Sequence, residues 1–169
     1  MIQMAVCDDE KKDRKRLRDQ IQTYMRNIDV EYELAEYESG EQLLEQEKEI
    51  QLLFLDIVMN QKDGIQAGAE MKRKNPDIII IYITNLDDQI TAAINQIHSY
   101  GYLVKPVNRE TLESILKDAL EKLRDSRKEE EVLFKKENGT PVMLKVKNIY
   151  YLIQRNVENT GRKQFMRLS

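Results

Sequence analysis

The 169-residue chain contains one cysteine, Cys7, and one histidine, His98. A lone cysteine has no partner within the chain, so no internal disulfide framework holds this fold, and Cys7 is expected to pack as a small apolar side chain. No apolar run approaches the roughly 20 residues that a membrane-spanning helix requires. The opening segment MIQMAVCDDE lacks the basic-then-apolar order of a signal peptide. Together these absences predict a cytoplasmic chain without a membrane partner. Internal repeats and low-complexity tracts are also missing, so no repeat architecture is expected.

With 41% hydrophobic and 34% charged residues, the composition is that of a soluble globular protein. The length suits one ordinary domain, or a domain of typical size with a small appendage. A net charge of -3 conceals an asymmetry. Residues 1–125 carry 17 Lys and Arg against 25 Asp and Glu, whereas residues 126–169 carry 10 against 5. An acidic body followed by a basic tail fits a regulatory module joined to a segment that meets an anionic partner such as DNA, and equally a tail whose charges only solvate it.

Short apolar runs alternate with helical-period segments as far as residue 124, the signature of βα units around a parallel sheet. The first strand is Ile2 to Cys7, followed by a helix from about Lys11 with Leu17, Ile21, Met25 and Ile28 on one face. The second, Val30 to Tyr37, alternates apolar and acidic residues as a sheet edge would. Ser39 is placed to cap the next helix, with Gln42 at the reciprocal capping-box position. Leu52 to Leu55 and Ile78 to Ile83 are continuous apolar runs, predicted as strands buried on both faces. Between them, Asp63-Gly64 marks a turn, and Ile65 to Lys74 reads as a helix with Ala67, Gly68 and Met71 inward. Ile90, Ala93, Ile94 and Ile97 predict a further helix, Tyr102 to Val104 a fifth strand, and Asn108 the cap of a last helix with a long apolar stripe.

The predicted organisation is a body over 1–125, a charged linker or helix extension over 126–131, and a β-rich segment over 132–169. In that segment Val132 to Lys135, Pro141 to Val146 and Ile149 to Ile153 read as strands, with Asn138-Gly139 a hairpin turn between the first two.

Ligands of an open parallel sheet bind beyond the carboxyl ends of its strands. Asp8 and Asp9 follow the first strand, Asp56 ends the third, Thr84 the fourth and Lys105 the fifth. Singly, each has a plainer explanation: an acidic helix start, a turn residue, a cap, or the close of a strand before Pro106. Converging from four strand ends, they form a site. Clustered carboxylates repel, and a hard cation with oxygen preference holds them ionised; Mg²⁺ fits because it needs few protein ligands. A carboxylate held in this way can attack phosphorus to form an acyl phosphate, with the Lys105 ammonium neutralising phosphoryl charge and Thr84 donating a hydrogen bond to a phosphoryl oxygen.

The segments MAVCDDE, LLFLDIVMNQKDG, IIIIYITN and GYLVKP resemble, in order and spacing, the receiver domain of two-component response regulators over residues 1–124. The resemblance implies a flavodoxin-like (βα)5 doubly wound parallel sheet of order 2-1-3-4-5. It also implies that Asp56 is the phosphoacceptor, that Asp8, Asp9, Asp56 and the backbone carbonyl of Val58 hold Mg²⁺, and that Thr84 and Lys105 are the switch hydroxyl and the phosphate-pairing lysine. Tyr102 matches the aromatic that turns inward on activation, and the peptide before Pro106 is expected to be cis. The implied partner is a sensor histidine kinase. The implied homodimer face comprises the helix through Ile90 to Ile97, the fifth strand and the last helix. Such a protein is a phosphoacceptor switch, catalysing at most its own phosphoryl transfer and dephosphorylation. A phosphatase with Asp56 as nucleophile needs a further acid or base beside it, which Val58 does not provide.

The chain departs from the family pattern at Asn60, where proline is usual, at Asn85, whose bulk narrows access to the site, and at Gly101, which is expected to loosen the turn before Tyr102. His98 is expected on a helix surface outside the crevice. The tail VLFKKENGTPVMLKVKNIYYL resembles the opening of a LytTR-type DNA-binding domain, which implies a transcriptional output with an effector partial or truncated in this chain. Lys145, Lys147, Arg162 and Lys163, with Arg155 and Arg167, are the candidate phosphate contacts, although basic residues alone supply only non-specific affinity. The alternative is a receiver that signals through protein interaction and binds no specific DNA.

Overall fold

The computed structural model describes residues 1–59, 64–85, 100–127, 131–135 and 141–145. The chain divides into two compact units, Met1–Leu120 and Glu121–Ser169. In the first, β1 (Ile2–Cys7), β2 (Tyr32–Tyr37), β3 (Leu52–Asp56), β4 (Ile79–Thr84) and β5 (Gly101–Val104) form one parallel sheet of order β2-β1-β3-β4-β5. Among the described residues the helices are α1 (Lys11–Met25), α2 (Gly40–Glu45), α3 (Gly64–Lys74) and α4 (Arg109–Arg127). This is the doubly wound, flavodoxin-like arrangement expected from the sequence. The helix read over Ile90 to Ile97 and His98 lie outside the described residues, as do Asn60 and Asp63.

Burial follows strand position. Every residue of β3 and β4 is buried, because each of these strands has a neighbour on both sides and helices over both faces. β2 is a sheet edge, only partly buried, and its Glu33 and Glu36 discourage pairing with another chain. On one face Ala5, Cys7, Leu53, Leu55, Ile80 and Tyr82 pack with Leu43 of α2 and Ala67 and Met71 of α3. Strand alternation sends the buried Met4, Val6, Leu52 and Phe54 to the other face. Right-handed crossovers place α1 there, with Leu17, Ile21 and Met25 buried. Ile28 lies past the end of α1 and is only half-buried.

Two helices, α2 and α4, start at capping side chains. The Ser39 hydroxyl accepts the Gln42 N–H at 3.3 Å, while Gln42 Oε1 accepts from Glu38 N–H at 3.0 Å, one residue earlier than the usual capping box. Asn108 Oδ1 accepts the N–H groups of Glu110 at 2.8 Å and Thr111 at 3.1 Å, opening α4. The start of the charged stretch after residue 124 is helical, since α4 continues to Arg127.

Gly101 differs from expectation. It is the first residue of β5, in register with Ile81, and not part of a loose turn. A Cβ there would stand 2.5 Å from Ile115 Cδ1, so the absence of a side chain gives α4 room over the strand.

In the second unit, β6 (Glu131–Lys135) and β7 (Pro141–Lys145) pair antiparallel, Glu131 opposite Lys145 and Lys135 opposite Pro141. The Asn138-Gly139 turn and the strand expected from Ile149 to Ile153 fall outside the described residues. So do Lys147, Arg155, Arg162, Lys163 and Arg167, and Lys145 is described only as the last residue of β7.

Cys7 is fully buried at the end of β1, and burial, with the Asp8 and Asp56 charges adding to it, pushes its thiol up to about 12. In the native protein at pH 8 the thiol should therefore react with Ellman's reagent no faster than the fold opens, and denaturant should release it. Labelling of the folded chain at the rate of free cysteine would contradict this packing.

Candidate functional site

β1, β3, β4 and β5 run parallel, so their carboxyl ends reach one rim of the sheet, and the residues that follow each strand face a common crevice. Asp8 follows Cys7, Asp56 ends β3 in register with Ile83, and Thr84 ends β4 opposite Val104. The Lys105 N–H donates to the Thr84 carbonyl at 2.8 Å, which extends the β4–β5 ladder by one residue and aims the lysine inward. The Lys105-Pro106 peptide is cis, as the family resemblance implies.

Asp8, Asp56 and Thr84 are buried polar residues, and Asp9 is half-buried. One carboxylate oxygen from each of Asp8, Asp9 and Asp56 falls within 4.8 Å of the others. Lys105 Nζ lies among these groups, 2.7 Å from Asp56 Oδ2 and 2.9 Å from Asp8 Oδ2. The remaining oxygens are held by main chain: Asp56 Oδ1 accepts from Val58 N–H at 3.2 Å, and Asp8 Oδ1 from Glu10 N–H at 2.8 Å. The Thr84 hydroxyl donates to the Asn85 carbonyl at 2.8 Å. Tyr102, in register with Tyr82 on β5, is exposed at 44%, and Val58 is exposed at 56%.

Charge does not balance in this crevice. Burial raises the Asp56 carboxyl above the ordinary carboxylate range; the Lys105 hydrogen bond and charge oppose that shift without cancelling it, and Asp8 adds to it. For Lys105, burial disfavours the ammonium, but hydrogen bonds to Asp56 and Asp8 outweigh it and the group titrates above its usual range. The lysine is therefore firmly charged. One ammonium against three carboxylates leaves an excess of negative charge, and the donor set is all oxygen. Both properties fit a hard divalent cation such as Mg²⁺, with Asp8, Asp9 and Asp56 as the residues able to hold it.

Three residues that shape this crevice are hard to assign from sequence. Arg14 of α1 is buried, donates to the Asp8 main-chain carbonyl and faces Glu36 at 3.7 Å and Glu38 at 3.0 Å. Its position, one residue after Asp13 in a run of charges, gives no sign of burial, although i, i+3 spacing to Leu17 puts both on one face. Gly64 donates to the Ile57 carbonyl at 2.9 Å, and a Cβ on it would stand 1.9 Å from the Asp56 carbonyl oxygen. Only glycine allows α3 to begin so close to the end of β3. Asp13 brings a further carboxylate 3.4 Å from Lys105 Nζ.

Residues 4–117 match the family described as the response regulator receiver domain. The chain belongs to that family. Among its relatives, this receiver is 31% identical over 107 residues to the chemotaxis protein CheY of Halobacterium salinarum, covering 57% of this chain and 88% of that one. It is 34% identical over 92 residues to the transcriptional regulatory protein ZraR of Escherichia coli, covering 53% of this chain and 21% of ZraR. The chain thus spans a quarter or less of the length of several curated relatives it matches. Among solved structures, the receiver superposes on the response regulator TrrA of Thermotoga maritima, in complex with Mg²⁺ and BeF, with a TM-score of 0.60 and 26% identity, over 70% of this chain and 99% of that one. Among the described residues, no helix is long and apolar enough to cross a membrane.

Arg14 ties α1 to the Asp8 main chain, so Arg14→Ala should lower unfolding free energy by about 1–3 kcal/mol, the cost of leaving a buried acceptor unpaired. The exposed Glu38 pair adds little to this. Urea denaturation measures the difference, and Arg14→Lys should recover only part of it because one ammonium does not reproduce the planar guanidinium. A midpoint for Arg14→Ala equal to wild type would contradict the assignment.

Proposed function

We propose that this receiver is a phosphorylation-controlled switch whose Asp56 accepts a phosphoryl group from a partner sensor histidine kinase. The observation that carries the reading is the Asp56 carboxylate at the carboxyl end of the sheet, 2.7 Å from the Lys105 ammonium and beside the Asp8 and Asp9 carboxylates. An Asp56 oxygen attacks phosphorus in line with the leaving imidazole of phosphohistidine; the new O–P bond forms as the P–N bond breaks, and the imidazole nitrogen keeps the electron pair. Lys105 pairs with the phosphoryl oxygens, and Val58 N–H keeps the carboxylate oriented. Asp8, Asp9, Asp56 and the Val58 carbonyl are the groups that would hold Mg²⁺. When bound, the ion supplies positive charge against the transferred oxygens.

Once the group is on Asp56, the Thr84 hydroxyl leaves the Asn85 carbonyl for a phosphoryl oxygen, and Tyr102, exposed in this state, turns inward. That movement reshapes the face along β5 and α4, which then dimerises. The chain turns over no separate substrate, so it acts as a switch and not as an enzyme; any catalysis concerns its own phosphoryl transfer and hydrolysis. A cytoplasmic place in the cell fits a kinase partner of this kind.

The output we propose is transcriptional. Its support is the basic tail, the resemblance of VLFKKENGTPVMLKVKNIYYL to a LytTR-type opening, and the relationship to ZraR, a transcriptional regulatory protein. The alternative output is protein interaction through the receiver surface, without specific DNA binding. Specific operator binding at physiological salt supports the first; weak binding that falls steeply with salt supports the second.

Incubated with Mg²⁺ and acetyl phosphate, wild type should acquire an alkali-labile phosphoryl label, Asp56→Asn should remain at background, and Lys105→Ala should retain partial uptake with blunted signalling. Phosphate-affinity gel electrophoresis reads the fraction labelled. Equal labelling of wild type and Asp56→Asn would overturn the assignment.

A further inference from the structure

The Lys105 ammonium has three N–H donors and faces three carboxylates: Asp56 at 2.7 Å, Asp8 at 2.9 Å and Asp13 at 3.4 Å. Two of these belong to the group able to hold a cation. Asp13 does not: it projects from the first turn of α1 and its side chain is 42% exposed, against 2% and 4% for Asp8 and Asp56. It is the longest and wettest of the three contacts, on the solvent side of the ammonium.

We infer that Asp13 is a positioning residue that draws the Lys105 ammonium toward α1 and competes with a phosphoryl group on Asp56 for it. The inference rests on the phosphoacceptor reading of Asp56. Any positive charge held by Asp8 and Asp56 weakens their pull on the ammonium, because the same carboxylates then serve two cations. Asp13 keeps its full charge and becomes the main rival of the incoming phosphoryl oxygens. Lys105 thus has, besides its expected pairing with phosphate, a neighbouring carboxylate that restrains it. Asp13 touches neither the reacting oxygen nor phosphorus in this arrangement, and acts only through the lysine.

Because Asp13 is partly exposed, its effect is expected to be modest, in the range of single solvent-accessible ion pairs. The test is a thermodynamic cycle on the full chain. Beryllium fluoride, a phosphoryl mimic, is titrated in the presence of Mg²⁺ into wild type, Asp13→Asn, Lys105→Ala and the double variant, with dissociation constants from calorimetry. Asp13→Asn should bind the mimic roughly two- to fivefold more tightly than wild type. The same substitution should change nothing when Lys105 is already alanine. Equal affinity of wild type and Asp13→Asn overturns the inference, and so does an equal gain in the Lys105→Ala background, which marks a general charge effect independent of the lysine. If wild type itself fails to bind the mimic, the phosphoacceptor reading falls and this inference with it.

Discussion

Three carboxylates and one ammonium meet at a rim where Asp8 and Asp56 are buried and Asp9 and Lys105 half-buried, and much of the receiver body serves to keep them there. Asp8 and Asp56 are buried anions, which folding tolerates only when each charge has a partner. Lys105 partners both, and main-chain N–H groups of Glu10 and Val58 take the oxygens it leaves. The set is satisfied locally yet remains net negative. That residual charge makes the crevice receptive to a cation and, through it, to an anionic group.

The support for this arrangement lies in elements that carry no chemistry themselves. Parallel pairing of β1, β3, β4 and β5 brings four chain segments to one edge with their ends in step. The fully buried β3 and β4 anchor that edge in the core, so Asp56 and Thr84 at their ends sit on a rigid base. Gly64 lets α3 start against the Asp56 carbonyl, and Arg14 fastens the start of α1 to the Asp8 main chain. Loss of either support would move a carboxylate without touching its charge.

Much of this was legible in the sequence, for identifiable reasons. Uninterrupted apolar runs at Leu52 to Leu55 and Ile78 to Ile83 have few other uses than a buried parallel strand, and the alternation around Tyr32, Glu33 and Leu34 marks an edge. Once the strands were placed, the polar residues at their ends identified the crevice. What stayed hidden depended on side-chain direction and close approach. Asp13 and Arg14 are adjacent charged residues near the start of α1, yet the helix turns one to the crevice mouth and buries the other. Gly101 suggested a loose turn, whereas it opens β5 and makes room for Ile115. The spacing of Ser39 and Gln42 predicts a capping box, but the Gln42 side chain accepts from Glu38, the residue before the cap.

Everything proposed for this crevice requires that one particular carboxylate, Asp56, become an acyl phosphate. Borohydride reduction of chain treated with Mg²⁺ and acetyl phosphate, followed by peptide mass spectrometry, converts an aspartyl phosphate into homoserine and so reports its position. The account predicts homoserine at position 56, with Asp8, Asp9 and Asp13 recovered as aspartate. Homoserine at another position, or an unmodified Asp56 in protein shown to carry phosphate, would contradict it.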